Sequence, residues 1–285
     1  MAQFKVETAS LDPKISSHYE VMMLANNAAG DIVSNDNPLP VSLVNSNSTL
    51  NAPWELQVAR GKVASVTSVN IQGYNAAMPS SWSTAWELAN SAGNYVYPSS
   101  EVAMAFTSSS PETLTMTVSG LDSSYTIKTA TVTFSGSNTG VVTSGTNLFY
   151  RINRMQITSN TSVGAISATH TGTTYARISA GTGQSLASLY TVPAGYTFYL
   201  ERVVAYTTNN GNQYCTYRIF TQTISGGITT PQIVLTAPFQ QVYSTLRVIP
   251  RAYVANTDIQ WQLYQTSPAP GSIQLEGILI PNSAP

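Results

Sequence analysis

Short runs in which apolar and polar residues alternate one for one, cut by clusters of Gly, Pro, Asn, Asp and Ser, occupy most of this chain. Residues 64–71, 113–118, 129–134 and 147–152 are of this kind, with threonine repeatedly in the polar place. A period of two puts successive side chains on opposite sides of an extended backbone, so each run can bury one face and wet the other. Threonine suits the pleat and keeps the wet face free of charge. Residues 189–200 read as strand, tight turn at Pro193-Ala194-Gly195, then strand. Further strands are expected at 203–206, 216–221, 233–235, 246–249, 259–264 and 273–280. Many short strands with turn residues between them predict an all-β chain built as sandwiches, jelly rolls or barrels. No segment of 20 to 50 residues recurs three times, so neither a solenoid nor a propeller is expected. One short helix is expected at Thr84-Ala85-Trp86-Glu87, where Thr and Glu stand in capping-box spacing, with Gly93 as its stop.

The first 50 residues have a different texture. Glu20-Val21-Met22-Met23-Leu24-Ala25 reads as a strand, Asn26 to Gly30 as a turn and Asp31-Ile32-Val33 as its return. Pro38 and Pro40 then forbid a central strand and favour extended backbone. A segment of this composition buries little of itself and is expected to lie on another surface. The organisation expected is an extended arm with a hairpin over 1–50, a first β-sandwich domain over 51–178 and a jelly-roll-like β domain over 179–285. The arm residues expected to touch a partner are Tyr19, Val21, Met23, Ile32, Pro38, Leu39, Pro40 and Val41.

Charge is scarce. Charged residues make up 9% of the chain, with a formal net charge of −1, against about 25% charged residues in an ordinary soluble protein. So few charges give a free monomer little protection against self-association, which suggests a surface meant to be covered by neighbours. Residues 1–128 carry ten acids and five bases, a balance of −5, while from residue 129 seven arginines face three acids, a balance of +4. Arginine without lysine suits interfaces, because the guanidinium is weakly hydrated and makes forked hydrogen bonds. The arginines form no basic run, so nucleic acid is not an expected partner. No stretch of 18 apolar residues occurs, so no membrane association is expected. The opening Met1 to Lys14 lacks the apolar core of an export signal, and one cysteine, Cys215, permits no internal disulfide. Folding and assembly in a cytoplasm is the expectation.

Residues suited to chemistry are few and scattered. His18 and His170 have no acid or second histidine close in sequence. Gly136-Ser137-Asn138-Thr139-Gly140 lacks the central serine of a nucleophile elbow, and Gly181-Thr182-Gly183 opens no helix. Glu101, Glu112 and Asp122 are the acids a β-sheet glycosidase would need, and they are read instead as solvated loop charges. Cys215, between Tyr214 and Tyr217 on an expected strand, reads as a small buried apolar group. The tyrosines spread through the strands read as core and interface residues rather than a sugar platform. No catalytic residue, metal site or cofactor is expected, and the chain is read as a non-enzymatic structural protein.

A resemblance enters with Tyr19-Glu20-Val21-Met22-Met23-Leu24-Ala25, Gly30-Asp31-Ile32-Val33 and Asn37-Pro38-Leu39-Pro40-Val41. It continues through Val69 to Asn75, Trp86-Glu87, Tyr95-Val96-Tyr97-Pro98 and Tyr190 to Gly195. In this order the motifs resemble virion structural proteins of marine and cyanobacterial tailed bacteriophages. The resemblance implies a particle component and supplies no catalytic residues. With the arm, it gives the expectation of a capsid decoration or cement protein, a homotrimer that binds the major capsid protein and stabilises the head shell. The alternative is a tail fibre or tail adaptor whose tyrosine-rich C-terminal region binds a host surface glycan.

Overall fold

Alternation in the sequence becomes antiparallel pairing in space. The structure, a computed structural model, describes residues 53–88, 95–208, 214–225 and 228–283. The arm over 1–50, with all eight of its expected contact residues, lies outside the described residues. A six-residue helix α1 (Trp54–Ala59) leads into β1 (Thr67–Met78) and the two-residue β2 (Ser83–Thr84). Next come β3 (Val102–Ala103), β4 (Ala105–Leu121), β5 (Ile127–Gly145), β6 (Leu148–Phe149), β7 (Arg151–Ser159), β8 (Ile166–His170) and β9 (Thr173–Ile178). The last stretch holds β10 (Leu189–Thr191), β11 (Tyr196–Thr207), β12 (Cys215–Ser225), β13 (Ile228–Phe239), β14 (Val242–Tyr253), β15 (Thr257–Gln265) and β16 (Ala269–Pro281). The fold is all-β, as the alternation predicts.

Two sheets enclose one core. The first runs β1-β16-β11-β14 and the second β10-β15-β12-β13, with β2 added beside β15. Ile71, Phe198, Leu200, Val203 and Leu275 from the first meet Tyr217, Ile219, Trp261 and Leu263 from the second, all buried. Residue 73 of β1 must be glycine for this to close. A Cβ there would stand 2.3 Å from the Ala85 carbonyl oxygen and 2.5 Å from the Ser188 Cβ. β1 precedes the middle of the chain yet pairs with β16, Ile71 opposite Leu275. The C-terminal sheets thus take an edge strand from the region before residue 80.

The second core belongs to β5-β4-β8-β9, with β7 also on β4. Here Phe106, Leu114, Met116, Val118, Val132, Phe134, Met155 and Ile166 interlock. β4 is long enough to serve two partners, pairing with β8 through Ala105–Ser108 and with β7 through Thr115–Leu121. A register shift at Glu112 marks the change of partner.

One expectation fails on local grounds. Thr84-Ala85-Trp86-Glu87 forms no helix: Ser83 and Thr84 pair with Leu263 and Gln262. The Thr84 hydroxyl, instead of capping, donates to Gln260 Oε1 at 2.8 Å, and the Ala85 N–H goes to Ser188 Oγ at 3.0 Å. Tertiary partners for these backbone and side-chain groups outweigh a capping preference of about 1 kcal/mol. Leu88 is not helical either, and residues 89–93, with the expected Gly93 stop, fall outside the described residues.

Candidate functional site

Of the acids and the thiol singled out by sequence, Glu101 and Asp122 meet at one turn, where Glu101 accepts from the Ser123 N–H at 3.4 Å, while Glu112 and Cys215 are each used elsewhere. Glu112 corrects the expectation of a solvated loop charge: it is buried. Its carboxylate accepts from the N–H groups of Val163 and Gly164 and from the Ser108 hydroxyl. Burial pushes this carboxyl up, but those three donors outweigh it and hold the group below its ordinary value. Glu112 therefore closes the loop between β7 and β8 at the point where β4 changes partner. Asp122 accepts from Ser124 and Thr126 N–H groups in a side-chain-capped turn. Glu101 pairs with Lys128, which lowers its carboxyl. His170 is half-buried, its Nδ1 2.9 Å from the Ala103 carbonyl. Cys215 is fully buried, as expected, and burial pushes its thiol up to about 12. Among the tyrosines, Tyr95, Tyr190, Tyr217 and Tyr253 are core residues, while Tyr206 and Tyr214 are exposed. Among the described residues, no group of three or more His, Cys, Asp or Glu is placed to hold a metal ion, and no helix is long and apolar enough to cross a membrane.

The most concentrated polar cluster joins residues that no sequence motif linked. Arg151, at the start of β7, donates from Nε to Asp258 Oδ1 at 2.9 Å and from Nη2 to Oδ2 at 2.8 Å. Both side chains are buried, 4% and 2% exposed, so the pair is shut off from solvent. Nη1 reaches the carbonyls of Pro98 and Tyr150 at 3.0 and 2.9 Å. The guanidinium also lies 3.8 Å from the Tyr150 ring centroid and 4.5 Å from that of Tyr97. Thr191 gives its hydroxyl to Asp258 Oδ1 at 2.6 Å and is itself gripped at its backbone by Asn153. Burial works against the Arg151 charge; the bonds to Asp258 more than offset it and raise the guanidinium above its ordinary value. Arg151 comes from the sheet of β4 and β7, and Asp258 from β15 beneath the other core. The cluster is a rivet between the two cores. A forked, fully partnered ion pair of this kind fixes geometry rather than performing chemistry.

The surface feature that asks for a partner lies elsewhere. β14 ends the first sheet of the C-terminal sandwich and β13 ends the second. Val248 is 99% exposed, Ile249 82% and Leu246 75%, with Ile228, Ile233 and Val242 also largely in solvent. Opposite β11, residues 247–250 are looped out: Leu246 pairs with Arg202 and Arg251 with Leu200. This bulge pushes Val248 and Ile249 away from the sandwich. The opposite edge, β1, shows solvent Thr67, Ser68, Asn70 and Gln72 instead, with Tyr74 beside them. In the sequence, residues 233–235 and 246–249 read as ordinary strands; only the sheet order exposes them. Pro231, Pro238 and Pro250 were the available signal, since proline within a strand marks an edge.

No family model, curated protein or solved structure matches the chain. The functional reading therefore rests on the chemistry of this surface and on the motifs in the sequence.

Proposed function

We propose that the protein is an assembly subunit of a bacteriophage particle, a decoration protein that binds the head shell and stabilises it. The observation that carries this reading is the exposed apolar edge at β13 and β14 on a chain only 9% charged. Exposed aliphatic side chains of this number are a cost to a free protein and a benefit to a subunit. The buried Arg151–Asp258 rivet supports the same reading, because a component that bears load between neighbours gains from two cores locked in one orientation. Placement in a phage comes from the motif resemblance, and placement on the head comes from the expected arm.

The work of such a subunit is mechanical. Any protein that binds the closed shell and not its open form raises the free energy of opening by mass action. Quantitative gel or mass-spectrometric counting on purified particles tests the assignment. A copy number comparable to that of the shell protein is expected; a few copies per particle, or none, overturns it, and a few copies favours the tail-fibre alternative. A truncation lacking residues 1–50 is expected to fold and to lose attachment to undecorated heads. Undiminished attachment removes the arm from the account.

A further inference from the structure

We propose that the edge of β14 is a self-association site, at which β14 pairs antiparallel with β14 of a second copy across a twofold axis. The first sheet, β1-β16-β11-β14, then continues through the axis into the same four strands of the partner copy in reverse order.

Three features of this edge point to a second copy. First, the stretch of β14 ahead of its bulge, residues 242–246, lacks the protections that edge strands ordinarily carry. Natural edges are blunted by charges, prolines, bulges or brevity. β13 has Pro231 and Pro238, whereas β14 runs from Val242 to Ile249 without proline and ends its free stretch only at Pro250. Second, the solvent row of β14 holds Val242, Ser244, Leu246 and Val248, with no charge in it. Arg247 is the one charged residue in this stretch, and it lies on the half-buried side, where it acts on Tyr217 and Tyr253. Two copies can therefore approach in antiparallel register without opposing like charges along that row. Third, exposed aliphatic side chains gather at this edge: six on β13 and β14 are 55% to 99% in solvent, the kind of surface that marks a protein interface. The opposite edge at β1 offers mostly amides and hydroxyls, with Tyr74 among them, and matches this patch less well in a head-to-tail stack than the patch matches itself. Patch against patch satisfies it, and that contact is isologous. A threefold assembly, the expectation from sequence, would need a different surface.

The test uses the full chain in solution. Sedimentation velocity from about 1 to 100 µM is expected to show a concentration-dependent dimer, and Leu246→Lys with Val248→Lys is expected to weaken it at least about tenfold. Circular dichroism melts of both proteins check that the variant keeps its fold. Single cysteines at Ser244, Thr245 and Leu246 sample the candidate axes; one of them is expected to form an intermolecular disulfide under mild oxidation, with buried Cys215 silent. A wild type that stays monomeric at the highest concentration overturns the proposal, as does a dimer untouched by the two lysines or cross-linked at none of the three positions. A monomeric wild type whose binding to phage heads is abolished by the lysines also overturns it and gives the edge to the shell instead. The inference draws on the same edge as the decoration reading, and the two fail separately: a dimer that fails to bind heads leaves the edge assignment standing and removes the decoration assignment.

Discussion

Truncating Asp258 to alanine leaves the Arg151 guanidinium buried with no counter-charge, and is expected to cost about 3–5 kcal/mol in a denaturant titration. Replacing both partners by apolar residues of similar volume is expected to recover much of that loss, because neither charge is then desolvated. If the double variant is as unstable as the single one, the rivet acts through packing rather than charge. Glu87 supplies a pH signature. Burial pushes its carboxyl from 4.5 up to about 7, against the Ser179 N–H bond and the Arg177 charge that pull it down. A carboxyl whose folded value is raised contributes stability that is complete below its unfolded value and is lost as pH rises through the folded one. Between about pH 5 and pH 8 the wild type is expected to lose stability relative to Glu87→Gln, and parallel pH profiles would refute this. Cys215 is expected to stay inert to a thiol reagent in the native state and to react only on unfolding, which a simple absorbance assay reads.

At the scale of elements, Gly73 and β15 show how far strands are set by what lies across from them. Gly73→Ala is expected to cost about 1–3 kcal/mol by denaturation midpoint, since β1 must move off the Ala85 carbonyl and Ser188. An unchanged midpoint would mean that β1 is free to shift there. β15 alternates Asp258, Ile259, Gln260, Trp261, Gln262 and Leu263, which as a pattern reads as one buried and one wet face. In space both faces are buried: the apolar row enters the core. The polar row finds partners, Asp258 at Arg151, Gln260 at Thr84 and Tyr95, and Gln262 at Arg218. Period two separates the faces but does not say what covers each. The same limit explains Thr84, whose capping spacing is sound locally and whose hydroxyl is nonetheless taken by Gln260. It also explains β13 and β14, where aliphatic residues look like core in sequence and stand in solvent because those strands end their sheets.

At the scale of the whole molecule, the two cores are expected to unfold together, in one calorimetric transition, because Arg151, Asn153, Thr191 and Asp258 tie them through buried polar bonds. Asp258→Ala is expected to split that transition in two; a single transition in the variant would show that packing alone couples the cores. The class of fold and most of its strands were legible from the order of residues alone, because alternation is a local property that each strand carries wherever it pairs. That order also placed the Pro193-Ala194-Gly195 turn, with Gly195 at φ 78°, and the burial of Cys215. Partnership came only with the assembled fold. β1 joins β16 across most of the chain, Glu112 closes a loop 51 residues away, and Arg151 meets Asp258 across 107. Such pairings depend on which surfaces the assembled sheets bring face to face, and neither periodicity nor spacing along the chain carries that information.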